Sequence, residues 1–385
     1  MPELDTSGKS FDSPSIAWVD LLVTEDCNLF CKYCFHKAKP EKMSPAMAVT
    51  AIKFLKPQSE ENLIINFFGG EPFLNPSAIK AVIAHVDSLN LKYRFGICTN
   101  GTIFDEELLE ILKSKKASIQ VSLDGDKETH NANRGKHEET VTNIKKMLAM
   151  GITPSVRMTY TAENVERLAD NAAFIYSLGV NRIMHQAVMD NSWTDEAVAK
   201  FKRQHDKMIQ FVSNNTDLHF SFFDRLFNYR DLSEGLLCKA GKTLVAVLPN
   251  GDVYPCHRFA SQRTYKLGDI YSKFTRGLFL DLTRNSLRVC RNCEAKSICH
   301  TCLAANYEIN GSMLEPILPH CALIKYEYET AKKVKQAKEV RGSIMDMLTK
   351  IAQVELGIVS QLDSLERKVS LIEKQLGSSN PDKLE

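Results

Sequence analysis

Cys27-Asn28-Leu29-Phe30-Cys31-Lys32-Tyr33-Cys34 places three thiols within eight residues, in the order C-x-x-x-C-x-x-C. The apolar run Ile16-Ala-Trp-Val-Asp-Leu-Leu-Val23 comes just before it and reads as a strand, so the thiols fall on the loop that leaves this strand. A tetrahedral zinc site takes four ligands, and a fourth soft ligand is missing nearby. A cubic iron–sulfur cluster held by three thiolates keeps one iron open for a substrate or cofactor. Thiolates at short spacing are how proteins hold such clusters.

Outward from this loop, strand and helix patterns alternate. Ser44 is a plausible N-cap for a helix from Pro45 to Leu55. Leu63 to Phe68 reads as a buried strand ending in Gly69-Gly70-Glu71-Pro72, and a helix follows from Ser77 to Leu89. Tyr93 to Cys98 is the next strand, ending in Thr99-Asn100-Gly101, with a helix from Asp105 to Ser114. Ala117 to Ser122 is a strand ending in Leu123-Asp124-Gly125, with a helix from Glu138 to Met150. Strands at Thr153 to Tyr160 and Val180 to Ala187 precede helices at Glu163 to Leu178 and Thr194 to Val212. Six strand-then-helix units imply a parallel sheet with right-handed crossovers. Six are too few for a closed eight-fold barrel, so an open, partial (β/α)6 TIM-like barrel is expected. The unusual residues gather at strand C-terminal ends, the edge where α/β folds bind ligands.

The pattern changes near Asp231. Regular alternation stops, cysteines return, and Leu244 to Tyr254 reads as a hairpin around Asn250-Gly251. The stretch on to Cys321 is loop-rich. In the tail, Ile344, Leu348, Ile351, Ile358, Leu362, Leu365, Val369, Ile372 and Leu376 recur at alternating intervals of three and four, interrupted by Glu355. That spacing predicts a coiled-coil-like helix, serving self-association or a partner, or else packed back on its own barrel. The expected divisions are an arm at 1–14, a core at 15–230, a cysteine-rich segment at 231–325 and a helical tail at 326–385.

Composition narrows the class. The 385 residues carry a formal net charge of +2, which gives no global pull toward nucleic acid or an anionic membrane. No apolar run approaches the roughly 20 residues of a membrane span. Residues 1–14 lack the basic-then-apolar order of a signal peptide, which places the chain in the cytoplasm. Eleven cysteines there are clustered for metal rather than disulfides. Cys98 alone stands apart and reads as a small buried apolar residue.

The triad followed by Gly69-Gly70-Glu71-Pro72 resembles the radical S-adenosylmethionine (SAM) enzyme superfamily, over Ile16 to about Val212. The resemblance implies that a 4Fe–4S cluster on Cys27, Cys31 and Cys34 binds SAM through its open iron. One electron then cleaves SAM to methionine and a 5′-deoxyadenosyl radical, which abstracts hydrogen from the substrate. It implies cofactor-binding positions too. Gly69 and Gly70 let the backbone approach the ligand. Glu71, or a backbone carbonyl of that loop, faces the SAM amino group, although Glu71 can instead cap the helix start. Tyr33 lies near adenine. Ser122 and Asp124 match a Ser-x-Asp-Gly stretch near SAM, and Arg134 binds its carboxylate. Arg157 is a second candidate there, or part of a structural ion pair.

Cys238, Cys256, Cys290, Cys293, Cys299, Cys302 and Cys321 make up the second set. Two zinc ions, with His257 or His300 completing the ligands, are one reading. The order of the seven resembles the SPASM domain, which carries two auxiliary 4Fe–4S clusters and would bring the total to three. By that family's partition Cys238, Cys256 and Cys302 hold the first, and Cys290, Cys293, Cys299 and Cys321 the second. One departure is the spacing Cys299-His300-Thr301-Cys302, where the family has three residues between the cysteines.

Enzymes of this two-part layout mostly modify peptides or proteins, so the resemblance implies a peptide or protein substrate. It implies oxidation or thioether or carbon–carbon crosslinking, with a low-potential donor such as flavodoxin or ferredoxin. Sulfatase-maturing, formylglycine-forming enzymes tend to have Asp directly after the second SPASM cysteine, where this chain has His257. With only about 15 residues before the first strand, no leader-binding domain is expected. A small-molecule dehydrogenase and a zinc-stabilised coiled-coil adaptor are the other readings.

Overall fold

Alternating side chains decide which face of each strand meets the helices. In the computed structural model, which describes residues 15–56, 59–215, 217–221, 238–272, 274–283 and 286–377, the six expected strands are present. They are β1 (Ile16–Thr24), β2 (Ser59–Gly69), β3 (Arg94–Thr99), β4 (Ser118–Ser122), β5 (Ser155–Tyr160) and β6 (Arg182–Ala187). Each pairs in parallel with the next. A further parallel strand, β7 (His219–Phe220), adds to the β6 edge. At two residues it is too short to show a period. The expected arm at 1–14 and the boundary near Asp231 lie outside the described residues.

The crossover helices are α1 (Pro45–Leu55), α2 (Pro76–Ser88), α3 (Glu106–Ser114), α4 (Lys127–Asn133), α5 (His137–Ala149), α6 (Leu168–Ser177) and α7 (Asp195–Asn214). Their starts are written locally. Ser44 accepts from Met47 N–H and is followed by Pro45. Asp105 caps α3 ahead of Glu106 and Glu107, and Thr194 caps α7. Each such cap is worth about 1 kcal/mol. The short α4, missed in the sequence, is capped by Asp126.

One sheet face is apolar and sealed by the helices: Val19, Leu21, Ile65, Phe67, Ile97, Val121, Val156 and Ile183 are each at most 1% exposed. The register sets Asp20 beside Asn66, Cys98 beside Gln120, Ser122 beside Arg157 and Thr159 beside Gln186. These polar residues share the opposite face. A sheet that presents polar groups on its inner face leaves that face for ligand and water rather than for a packed core.

The cysteine-rich segment does not form a separate layer. β8 (Leu244–Val247) pairs in parallel with β1, Trp18 opposite Leu244 and Leu21 opposite Val247. β9 (Asp252–Tyr254) returns antiparallel, as the Asn250-Gly251 turn requires, and Gly251 has φ +88°. β10 (Gly268–Asp269) completes one sheet of order β10-β9-β8-β1-β2-β3-β4-β5-β6-β7.

The chain divides into two compact units, residues 1–332 and 333–385. The last helix runs Leu318–Gly377. In the second unit the heptad side chains Ile344, Leu348, Ile351, Ile358, Leu362, Leu365 and Val369 are 48–56% exposed. Among the described residues, no helix is long and apolar enough to cross a membrane.

Candidate functional site

The cysteine loop is held by backbone contact. Gly70 N–H donates to Thr24 O at 3.1 Å, and Glu71 N–H to Asp26 O at 2.8 Å. A Cβ at Gly70 would lie 2.2 Å from Asp26 O and 2.9 Å from Cys27 Cβ, and Gly69 has φ +146°. Here the glycines are needed for the chain's approach to its own cysteine loop. Glu71 is likewise engaged. It is fully buried, accepting from Thr99 Oγ1 (2.7 Å), Asn100 N–H (2.7 Å) and Phe73 N–H (3.1 Å). It caps the turn Pro72–Leu74 and ties the end of β2 to the end of β3. Burial pushes its carboxyl up to about 7, against the pull of those three donors.

Cys27 and Cys31 are partly buried and Cys34 is exposed. Burial pushes the Cys27 thiol up to about 11, and Cys31 and Cys34 are near enough to raise it further. Beside them lies a buried hub, Asp124. It accepts from Tyr33 OH, from Arg134 Nε at 3.0 Å to each oxygen, and from Thr159 N–H at 3.0 Å. Arg134 also reaches Thr159 Oγ1 at 3.2 Å, sits over the Tyr33 ring at 5.1 Å, and brings Nη1 to 4.0 Å from Cys31 Sγ. Tyr33, Asp124 and Arg134 are thus assembled at the thiols. Ser122 and Arg157 lie opposite one another further along the polar face, and Arg157 is exposed and within electrostatic reach of Cys98.

The later cysteines fall into two groups. Burial raises Cys256 well above the usual thiol range, with Cys302 and Cys238 adding to it. Burial raises Cys238 to about 11, again with Cys302 adding. Burial pushes Cys321 up to about 12, and Cys299, Cys290 and Cys293 contribute. Thiols that are buried and mutually repelling stay neutral unless a cation gathers them, so both groups have the donor chemistry of an iron–sulfur centre.

Sequence reasoning missed what spans the groups. Asp20, 2% exposed in the middle of an apolar strand, accepts from Trp18 Nε1 (2.8 Å) and Asn66 Nδ2 (2.8 Å) and bonds His257 Nδ1 at 2.6 Å. Burial alone would raise its pKa; His257, Asn66 and Trp18 bring it below the usual value. His257, considered as a zinc ligand, is therefore committed to a carboxylate, and its ring stacks on Phe68 at 4.4 Å. Cys98 belongs to the same row rather than to an inert core. Its thiol is 4.0 Å from Asn66 Oδ1 and 3.6 Å from Gln120 Oε1, and Gln120 Nε2 lies 2.7 Å from Met184 Sδ. The helix His257–Gln262 also clamps the cysteine loop. His36 bridges Ser261 Oγ (3.1 Å) and Glu25 O (2.9 Å), and Arg263 pairs with buried Glu25 at 2.6 Å.

Residues 21–175 match the radical SAM superfamily and residues 238–303 the SPASM iron–sulfur cluster-binding domain. The chain thus carries a radical SAM domain over residues 21–175 and a SPASM domain over residues 238–303. Such domains imply SAM and 4Fe–4S clusters, and the cysteine groups fit them. It is 28% identical over 291 residues to the antilisterial bacteriocin subtilosin biosynthesis protein AlbA of Bacillus subtilis (strain 168), covering 72% of this chain and 62% of AlbA. It therefore spans less than two thirds of that relative's length. Over 316 residues it is 22% identical to a cysteine-type anaerobic sulfatase-maturating enzyme of Clostridium perfringens (strain 13 / Type A), 71% of this chain and 84% of that one. The fold matches native anSMEcpe with bound AdoMet and the Cp18Cys peptide at a TM-score of 0.70, with 19% identity over 86% of this chain and 100% of that one.

Proposed function

We propose that this chain is a cytoplasmic radical SAM/SPASM enzyme that matures a peptide or protein by hydrogen abstraction, leading to oxidation or crosslinking. The observation that carries the reading is the polar sheet face running from Asp20 through Asn66, Cys98 and Gln120, with His257, next to Cys256, bonded to Asp20 at one end and Thr159, bonded to Arg134 beside Cys31, at the other. AlbA, a bacteriocin biosynthesis protein, supports a peptide substrate. Cys27, Cys31 and Cys34 would hold the SAM-binding cluster. Cys238, Cys256 and Cys302 would hold one auxiliary cluster, and Cys290, Cys293, Cys299 and Cys321 another, three in all. Together the triad's cluster and SAM supply a hydrogen-abstracting radical.

The protein's own contributions are binding, orientation and exclusion of water. Asp124 fixes Tyr33 and Arg134 beside Cys31 for SAM, with Ser122 and Arg157 further along the same edge. Gly69, Gly70 and Glu71 set the height of the cysteine loop. Asp20 fixes His257 against Phe68, where a substrate backbone can meet the ring's remaining nitrogen. A low-potential flavodoxin or ferredoxin supplies electrons. The division into a core at 15–230, an auxiliary domain at 231–325 and a tail at 326–385 fits these roles, and the tail serves self-association.

The test is anaerobic reconstitution followed by incubation with SAM, dithionite and short peptides encoded beside the gene. The reading expects 5′-deoxyadenosine, about twelve irons per chain, and a peptide lighter by about two hydrogens per bond formed. Zinc in place of iron, or no 5′-deoxyadenosine from fully loaded protein, overturns it.

A further inference from the structure

The helical tail specifies how many copies it joins. Counting heptads from the interval pattern, the d positions are Ile344, Ile351, Ile358 and Leu365, and the a positions are Leu348, Glu355, Leu362 and Val369. The flanking g and e positions are also apolar over the first half: Met345, Met347, Val354 and Val359 are 55–62% exposed. The back of the helix carries Asp346, Lys350, Gln353, Ser360, Asp363 and Arg367. The apolar face is thus wider than the two-position seam of a two-stranded coil.

Residue type decides among the assemblies that could cover it. In a two-stranded parallel coil the d side chain points directly at its partner, where a β-branched residue packs poorly. Leu at a with Ile at d is the combination that favours more than two strands. Three of the four d residues are Ile, and the unbranched-Cβ leucine stands at two of the four a sites. Apolar g and e positions are covered only when each helix touches two neighbours.

Orientation follows from pairing. In a parallel, in-register assembly each g faces the e five residues on in its neighbour. The pairs are Met347 with Ala352, Val354 with Val359, and Gln361 with Glu366. Apolar meets apolar, and polar meets polar. An antiparallel arrangement over the same stretch would set the apolar half against the polar half. The apolar side chains of this face expose on the order of 1,000 Å² per chain, more than the ~800 Å² per partner of a stable interface.

We infer that four copies of this chain associate through a parallel, in-register coiled coil of the tail. This rests on the self-association reading above and specifies its number and direction. Glu355, at an a position in the middle, marks the register, as single polar a residues do.

The test uses the full-length, cluster-loaded protein in anaerobic sedimentation equilibrium. The expected mass is four times 43.4 kDa. A mass of two or three chains overturns the four-stranded assignment while leaving self-association. A mass of one chain overturns both, and 5′-deoxyadenosine formation by that same monomer would leave the enzymatic reading standing. Ile351→Asp with Ile358→Asp should lower the mass fourfold with iron content and 5′-deoxyadenosine formation unchanged. Val354→Lys and Val359→Glu should each loosen the assembly, and the two together should restore it. Failure of the pair to restore the parent mass overturns the parallel register.

Discussion

Replacing Asp124 by Asn should show how the SAM edge is held together. The Asp124 side chain has no exposure and its partner Arg134 has 10%. The carboxylate takes four bonds, two from Arg134 Nε and one each from Tyr33 and Thr159. Asparagine offers one acceptor oxygen and turns an NH2 group toward donors that have nothing to receive from it. The guanidinium is then buried without its counter-charge, which costs about 3–5 kcal/mol. Anaerobic urea unfolding of the reconstituted protein, followed by circular dichroism, measures this. The paired variant Asp124→Leu/Arg134→Met leaves no charge buried and should recover part of the loss, the remainder being the acceptor that Tyr33 OH and Thr159 N–H no longer have. The reasoning fails if Asp124→Asn lies within about 1 kcal/mol of the parent, or if the paired variant is less stable than the single one. Displacing Arg134 from Cys31 should also lower the reduction potential of the triad's cluster, readable by redox titration with electron paramagnetic resonance.

Other outcomes follow from the same geometry. Gly70→Ala should drive the cysteine loop off β2, since its Cβ would overlap Asp26 O at 2.2 Å; iron should fall by about four per chain, one cluster's worth, with the remaining iron intact. His205 is fully buried, and burial depresses its pKa to about 3 from 6.5, against the pull of Glu327. The unfolded chain therefore binds this proton more readily, so the stability His205 contributes is whole above pH 6.5 and is lost as pH falls toward 3. By pH 5 the parent should lose about 2 kcal/mol more than His205→Gln does, and parallel pH–stability curves for the two would contradict this. Asp20→Asn should release His257 and lower product formed per 5′-deoxyadenosine by about tenfold through lost positioning, measured by chromatography of both. An unchanged ratio would assign Asp20 to folding alone.

Much of this architecture was legible because its signals are local. Three thiols at fixed spacing, glycines at a strand end and caps such as Ser44 and Thr194 act within a few residues of themselves. The partition of the later cysteines was legible only through resemblance, because their spacing does not say which thiols meet in space. What escaped was set by neighbours distant in sequence. Asp20 sits in a run that reads as uniformly apolar, and its burial is tolerable only because Trp18, Asn66 and His257 converge on it. Cys98 reads as core filler until its register beside Gln120 places it on the polar face. Of the roles the sequence leaves open for Glu71, the cap is local and legible, whereas Thr99 and Asn100, nearly thirty residues on, supply donors for both its oxygens. β7 has too few residues for a period to exist.

The pairing of β8 with β1 has a consequence for how such chains can be recombined. The cysteine-rich segment looks in sequence like a detachable module, but its first strand takes its register from Trp18 to Leu21, and His257 takes its anchor from Asp20. A transplant of residues 238–321 onto another barrel would arrive without its ruler. The seam along which such proteins can exchange parts therefore lies beyond the barrel's first strand, and any chimera meant to keep both cysteine sets in step must carry β1 with the graft.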